Sequence, residues 1–155
     1  MASRFGLRTW MLSSTVACAA LWPCLASATL GQAESSVQTD RERLQGSIKD
    51  SDLGSYRVHE IKLPSGTLVR EYAGEDGQVF AVAWNGPFIP DMRQTLGSYF
   101  DSYAAAAKAQ RTDHRHLQIQ LKNLVVQASG HMRAWSGLAY LPQAIPAGVS
   151  IGDLK

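Results

Sequence analysis

The sequence predicts an α+β domain with the element order α-βββ-α-ββ, in which a five-stranded antiparallel sheet carries the long helix on one face. Two observations predict this class. Short apolar runs are joined by turn sequences that are too brief for crossover helices, which indicates antiparallel neighbours. One long stripe of apolar residues recurs at helical spacing, and it offers a face wide enough to cover a sheet.

The first 28 residues have the pattern of a cleaved secretory signal. Arg4 and Arg8 form a positive start, an apolar stretch follows, and Ala26-Ser27-Ala28 is the small-x-small site that a signal peptidase reads. We therefore expect residues 1–28 to be removed and residues 29–155 to form a single exported domain, either periplasmic or secreted. The alternative is an uncleaved anchor, but a membrane span needs about 20 apolar residues. No stable membrane span is expected after cleavage.

Composition narrows the chemistry of the exported domain. Both cysteines, Cys18 and Cys24, lie in the leader, so the exported domain has no disulfide and no thiol nucleophile. The leader also holds two arginines and no acidic residue, so its removal leaves 13 basic residues to balance the 13 acidic ones. This balance gives no electrostatic case for nucleic acid or an anionic membrane as a partner.

Residues 37–45 are predicted to form a short first helix, because capping-box sequences precede apolar residues at helical spacing. Three strands follow, predicted at residues 55–63, 67–72 and 78–84 and separated by Pro- and Gly-containing turns. The apolar phase of the first strand slips at His59-Glu60, which predicts a bulge there. The third strand is apolar on both faces, so we expect it at the centre of the sheet.

The long helix is predicted to begin at Asp91, which can cap it. Its apolar stripe is expected to pack on the sheet, or alternatively to line a pocket for a small apolar ligand. The residues of this stripe are Met92, Leu96, Tyr99, Phe100 and Tyr103.

Alternation of Leu117, Ile119 and Leu121 with polar residues predicts a half-buried strand whose phase shifts at Lys122-Asn123. Ser129-Gly130 is predicted to be a turn before a final strand over residues 132–140, and we expect the tail after it to be held only in part. The sheet face away from the helix is expected to be either solvated or a binding surface. Its predicted residues include Arg57, His59, Glu71, Gln118 and Gln120.

Four segments together resemble the domain of unknown function 2844 family (DUF2844), a group of short exported Gram-negative proteins. They are residues 60–72, residues 79–91 with their Trp84-Asn85-Gly86-Pro87 sequence, Leu96-Gly97-Ser98-Tyr99-Phe100, and residues 130–142. The resemblance covers essentially the whole mature chain and implies an exported single-domain protein. It implies no activity, cofactor or catalytic residue for any position.

The clearest candidates for metal ligands are His114, His116 and Asp113, because two imidazoles and a carboxylate within four residues can bind zinc or copper. A metal-binding protein or a metal-dependent hydrolase would use this loop. The alternative is an exposed polar loop, since metal sites need three or four converging ligands and supporting contacts.

A second set of candidates suits a binding surface, because arginine and tryptophan often anchor interfaces. These candidates are His59, Arg70, His131, Arg133 and Trp135. His59 beside Glu60 could also do acid–base chemistry if a bulge aligned them. The sequence has neither a Gly-x-Ser-x-Gly elbow nor a glycine-rich phosphate loop.

The sequence therefore favours a non-enzymatic exported envelope protein that serves as a binding or assembly module. A metal-dependent protein and a carrier of small apolar ligands are the alternatives. No catalytic residue and no cofactor are predicted, and the expected partner is another envelope protein. The sequence does not determine the oligomeric state.

Overall fold

The structure is a computed structural model that describes residues 30–34, 47–110 and 116–154. The predicted signal peptide and the predicted first helix over residues 37–45 lie outside these ranges. The strands are β1 (Ser47–Asp52), β2 (Tyr56–Lys62), β3 (Leu68–Gly74), β4 (Val79–Gly86), β5 (His116–Gln120), β6 (Val125–His131) and β7 (Ala134–Tyr140). The helices are α1 (Met92–Leu96) and α2 (Phe100–Ala109), joined by a 3₁₀ turn at Gly97–Tyr99.

The seven described strands form one antiparallel sheet in the order β1-β2-β3-β4-β7-β6-β5. The predicted five-stranded sheet with the order α-βββ-α-ββ is therefore wrong. Four of the predicted strands are present, as β2, β3, β4 and β7, and β4 is central as expected. The predicted sheet lacked β1, and it merged β5 with β6.

The strand β1 escapes sequence-based detection because its residues are mostly polar. Only Ile48 contributes to the core, whereas Lys49, Asp50 and Asp52 are exposed. Its pairing with β2 holds this polar segment in the sheet. Hydrophobic periodicity is a weak signal for such an edge strand.

The phase shift at Lys122-Asn123 is a hairpin turn rather than an irregularity within one strand. Leu121 N donates a hydrogen bond to Leu124 O across it, at 2.8 Å. The predicted turn at Ser129-Gly130 is also wrong, because β6 continues through both residues. The chain instead turns at Met132-Arg133, where Arg133 has a φ of 65°.

The predicted bulge at His59-Glu60 is absent, since β2 keeps one register with both β1 and β3 from Arg57 to Lys62. A shift in register occurs instead between Tyr72 and Ala73 of β3, where β3 pairs with β4. The apolar phase slips in β2 because the apolar side chains of its first half are buried on one face of the sheet, and those of its second half are buried on the other face. Val58 joins one core cluster and Ile61 joins the other.

Two clusters of buried residues thus lie on opposite faces of the sheet. The helix face contains Ile61, Val82 and Trp84, and α1 and α2 pack against it. Leu96 of α1 is fully buried there. Asp91 caps α1 as predicted, because its side chain accepts hydrogen bonds from Arg93 N and Gln94 N.

The tail face contains Val58, Tyr72 and Phe80, and the chain after β7 packs against it. Ile145 and Val149 are partly buried there, and Leu154 is 2% exposed. The described tail residues are therefore held more firmly than the sequence predicts. They cover part of a sheet face that was predicted from the sequence to be either solvated or a binding surface.

Candidate functional site

A groove of about 950 Å³ lies on the part of the tail face that the tail leaves open. Strands β3 to β7 form its floor, and the tail closes one side with Ile151, Gly152 and Leu154. Clefts that bind small molecules commonly have volumes of about 300–1,000 Å³. The groove is therefore the first candidate for a binding site.

Strand register builds the groove floor from two adjacent rows of side chains that cross the sheet. Residues opposite one another in antiparallel strands share a face, so a register row is a line of neighbouring side chains. The central row consists of Gln118, Gln127, Leu138, Ala83 and Arg70. The outer row consists of His116, Ser129, Ser136, Asn85 and Leu68.

The two rows combine hydrogen-bonding side chains with a narrow apolar strip. The amides of Gln118, Gln127 and Asn85 each offer two donors and an acceptor oxygen. Ala83 is buried and small, and it lies between Leu138 and Arg70 in the central row, so the floor is low there. Such a surface suits a ligand that carries both peptide-like polar groups and apolar side chains.

Arg70 is the cation of the central row, and its side chain is held in place. Its Nε donates a hydrogen bond to Glu60 Oε1 at 2.9 Å, from the position directly opposite on β2. Both side chains are about 30% exposed, at 29% and 31%. This ion pair fixes the position of the guanidinium at the end of the central row.

The groove does not contain a hydrogen-bonded serine–histidine pair among its described residues. His116 and Ser129 lie opposite each other on β5 and β6, but no hydrogen bond joins their side chains. The Ser136 hydroxyl instead donates to the backbone oxygen of Ser129, at a long 3.5 Å. A base that activates a serine normally lies within hydrogen-bonding reach of it, and the described side chains of His116 and Ser129 do not make that contact.

A second polar centre surrounds His59 on the helix face, near the edge strand β1. His59 is 7% exposed, and its Nδ1 lies 2.7 Å from Asp50 Oδ1. Its Nε2 lies 3.0 Å from Glu34 Oε1, and Arg57 Nη2 lies 2.6 Å from the other oxygen of Glu34. Glu71 is also buried and lies opposite His59 on β3.

This centre fastens the segment 30–34 to the sheet. Each ring nitrogen of His59 already faces a carboxylate oxygen, whereas a metal ligand needs an unprotonated nitrogen that faces the ion. No group of three histidine and carboxylate side chains in the described ranges is arranged to hold a metal ion. Backbone hydrogen bonds between Gly31 and Val79 and between Glu34 and Gly77 hold the same segment.

The predicted metal-ligand set falls only partly within the described residues. Asp113 and His114 lie outside the described ranges, so a metal site at that loop stays a prediction. His116 opens β5 and lines the groove.

The structure separates the five residues that the sequence nominated for a binding surface. Arg70 lies in the groove, whereas His59 lies on the helix face. His131 and Arg133 are exposed at the β6–β7 turn. Trp135 precedes Ser136 on β7, so it faces away from the groove.

The aromatic stripe of the helical segment packs into the core. Tyr99, Phe100 and Tyr103 contact the buried cluster of the helix face, and the guanidinium carbon of Arg93 lies 4.2 Å from the Phe100 ring centroid. Burial raises the pKa of the Tyr103 hydroxyl above its ordinary value of 10.0. These side chains are thus core residues of the helix face.

Sequence reasoning missed Asn85, Gln127, Ser129 and Ser136 as groove residues. None of them belongs to a motif, and they meet only because β4 pairs with β7 across the helical segment. One signal was available in the sequence, namely the polar residue Gln118 that alternates with apolar residues in its strand. It indicated one margin of the groove but not how far the groove extends across the sheet.

Comparison with known proteins gives one match. A family model described as a protein of unknown function (DUF2844) matches residues 26–154. Neither the curated proteins nor the solved structures contain a match to this chain. In the described ranges, no helix has the length and apolar character that crossing a membrane requires.

Proposed function

The chain belongs to the DUF2844 family, and we propose that it is a non-enzymatic binding module of the cell envelope. Its groove would hold an extended polypeptide segment of another envelope protein. The observation that carries this proposal is the pair of cross-strand rows on the tail face, in which amide and hydroxyl side chains flank an apolar strip.

An extended peptide suits this surface because it has the same two components as the groove. Its backbone N–H and C=O groups match the amides of Gln118, Gln127 and Asn85. Its alternate apolar side chains can contact Leu68, Leu138 and Ile151. Carbohydrate sites often use an exposed aromatic ring, whereas Trp84 lines this groove while its side chain is 3% exposed and packs on the helix face.

The envelope location rests on the leader pattern in residues 1–28. The same leader supports processing to a domain that begins near Thr29. A groove that binds a polypeptide would suit an assembly role among exported proteins, where a partner segment can be held extended.

The test is a nuclear magnetic resonance titration of protein that has been exported from its own precursor in a Gram-negative host. The start of the purified chain, found by N-terminal sequencing, is expected at Thr29. The probe is a pool of short random-sequence peptides, with a pool of oligosaccharides as the second arm. We expect the peptides to shift the amide signals of groove residues such as Gln127 and Ser136, and the oligosaccharides to leave them unchanged.

The variant Gln127→Trp should fill the groove and abolish the peptide-induced shifts. Lys62→Trp is the matched control, because Lys62 is exposed on the same face but outside the groove. Peptide-induced shifts that are confined to other surfaces would contradict the proposal, as would shifts that survive in Gln127→Trp.

A further inference from the structure

The two edges of the sheet differ in charge. In the described sheet, β1 and β5 each have a neighbouring strand on one side only. The β1 edge carries Lys49, Asp50 and Asp52, and charged residues are a common device that keeps an edge from pairing with another chain. The β5 edge, with the sequence His-Leu-Gln-Ile-Gln, carries no lysine, arginine, aspartate or glutamate.

We propose that β5 pairs antiparallel with β5 of a second copy of this chain, which forms a two-fold symmetric dimer with one continuous sheet. This inference goes beyond the proposed function and does not depend on it. Symmetric closed dimers are the commonest assemblies of soluble proteins, and their interfaces are self-complementary.

Symmetry restricts how an edge strand can pair with itself. Residues that lie opposite each other must point to the same face, and side chains alternate between faces along a strand. Along the strand, the two-fold axis must therefore be level with one residue, and it cannot fall midway between two consecutive residues. That central residue then lies directly opposite its own copy.

The β1 strand fails this requirement because of its charges. Its two central residues are Lys49 and Asp50. Either choice of axis apposes identical charges, which destabilises a cross-strand pair. Moving the axis toward an end of β1 leaves fewer residues paired.

The β5 strand meets the requirement at Gln118, the middle of its five residues. An axis beside Gln118 pairs His116 with Gln120 and Leu117 with Ile119 of the other copy. The paired Leu117 and Ile119 share the helix face, where both already pack against the core. The two Gln118 amides can exchange hydrogen bonds, since each has both donors and an acceptor.

The dimer would also change the groove. The two-fold axis is perpendicular to the sheet, so both tail faces lie on the same side. Because Gln118 and His116 line the groove margin, the two grooves would meet along the β5–β5 seam. A dimer could then hold a longer extended segment than one protomer holds.

Sedimentation equilibrium tests the dimer directly, with the exported protein across the micromolar range. We expect a monomer–dimer equilibrium whose dissociation constant rises by roughly tenfold in Gln118→Lys, because two ammonium groups then face each other at the axis. The matched control is Gln127→Lys, which places the same charge on the same face one strand further in and should leave the constant unchanged.

Cysteine crosslinking locates the axis. Opposed residues in an antiparallel pair have Cα atoms about 4.5 to 5.5 Å apart, which is within the range of a disulfide. In a chain with Cys18→Ser and Cys24→Ser, Gln118→Cys should form a disulfide-linked dimer on mild oxidation, whereas Lys49→Cys and Gln127→Cys should not. A protein that stays monomeric would overturn the proposal. A dimer that ignores Gln118→Lys and gives no Gln118→Cys crosslink would place the interface elsewhere and overturn it as well.

Discussion

The two faces of the sheet are covered by different means. On the helix face, α1 and α2 pack as regular helices onto one cluster that includes Ile61, Val82 and Trp84. On the tail face, a chain without long regular elements covers Val58, Tyr72 and Phe80 but leaves the rows across β3 to β7 open. The contrast is therefore between a face that regular helices cover and a face that the tail covers only in part.

The largest expected effect comes from the helix face. Leu96→Ala should lower the free energy of unfolding by roughly 2–5 kcal/mol, because it leaves a cavity beside the buried cluster. Gln127→Ala in the open groove is the matched change and should stay within about 0.5 kcal/mol of the parent. Urea unfolding measures the free energy of unfolding of both variants. A similar loss in the two variants would contradict the proposed difference between the two faces.

An intermediate effect is expected at Gly137, which lies opposite Trp84 in a row on the helix face. A side chain on Gly137 would overlap the ring of Trp84, which is buried on the helix face. Gly137→Ala should therefore lower the free energy of unfolding by roughly 1–3 kcal/mol through overpacking.

Thermal melting and tryptophan fluorescence check the Gly137 prediction, since Trp84 must move. Gly152→Ala is the control, because the nearest atom to its added Cβ is the Ser150 hydroxyl at an ordinary 3.6 Å. An unchanged melting point and unchanged fluorescence in Gly137→Ala would show that the close contact between Gly137 and Trp84 carries no packing constraint.

The smallest effect is a pH dependence of the helix face. Burial raises the pKa of Tyr103 in the folded chain above 10.0. Above the unfolded pKa the native state keeps a proton that the unfolded state has lost, so stability should fall as the pH rises from about 10 through the folded pKa. Tyr103→Phe should remove this part of the alkaline loss, as measured by urea unfolding at a series of pH values. An identical pH slope in the parent and in Tyr103→Phe would contradict the assignment.

Local sequence signals predicted the part of the fold that local chemistry determines. Turn residues and apolar runs identified β2, β3, β4 and β7, and Asp91 identified the start of the helical segment. The strand β1 was missed because an edge strand needs few apolar residues. The β5–β6 hairpin was missed because its turn residues, Lys122 and Asn123, looked like a phase shift within one strand.

Gly130 misled the prediction for a different reason. Glycine usually suggests a turn, but a Cβ at this position would lie 2.8 Å from the Cα of Trp135 on the neighbouring strand. Gly130 therefore permits close approach within the sheet. The positive φ of the real turn is at Arg133, a residue type that gives no turn signal.

The groove could not be predicted because its rows join distant parts of the chain. Gln118 and Gln127 are brought next to Leu138 by two local hairpin pairings, but Ala83 and Arg70 join them only through the β4–β7 pairing. The register between β4 and β7 depends on the three-dimensional fold, and the alternation of polar and apolar residues within either strand does not reveal it.

The β4–β7 pairing also divides the folding reaction into unequal steps. The strands β1 to β4 and the strands β5 to β7 are each linked by short turns, so each group can form through local contacts. Pairing β4 with β7 closes a loop that spans the helical segment, and non-local pairing of this kind slows folding. We therefore expect the two meanders to form early and the seam between β4 and β7 to close late. If the contact between Gly137 and the Trp84 side chain packs only after the seam has closed, Gly137→Ala would mainly speed unfolding and leave the refolding rate nearly unchanged.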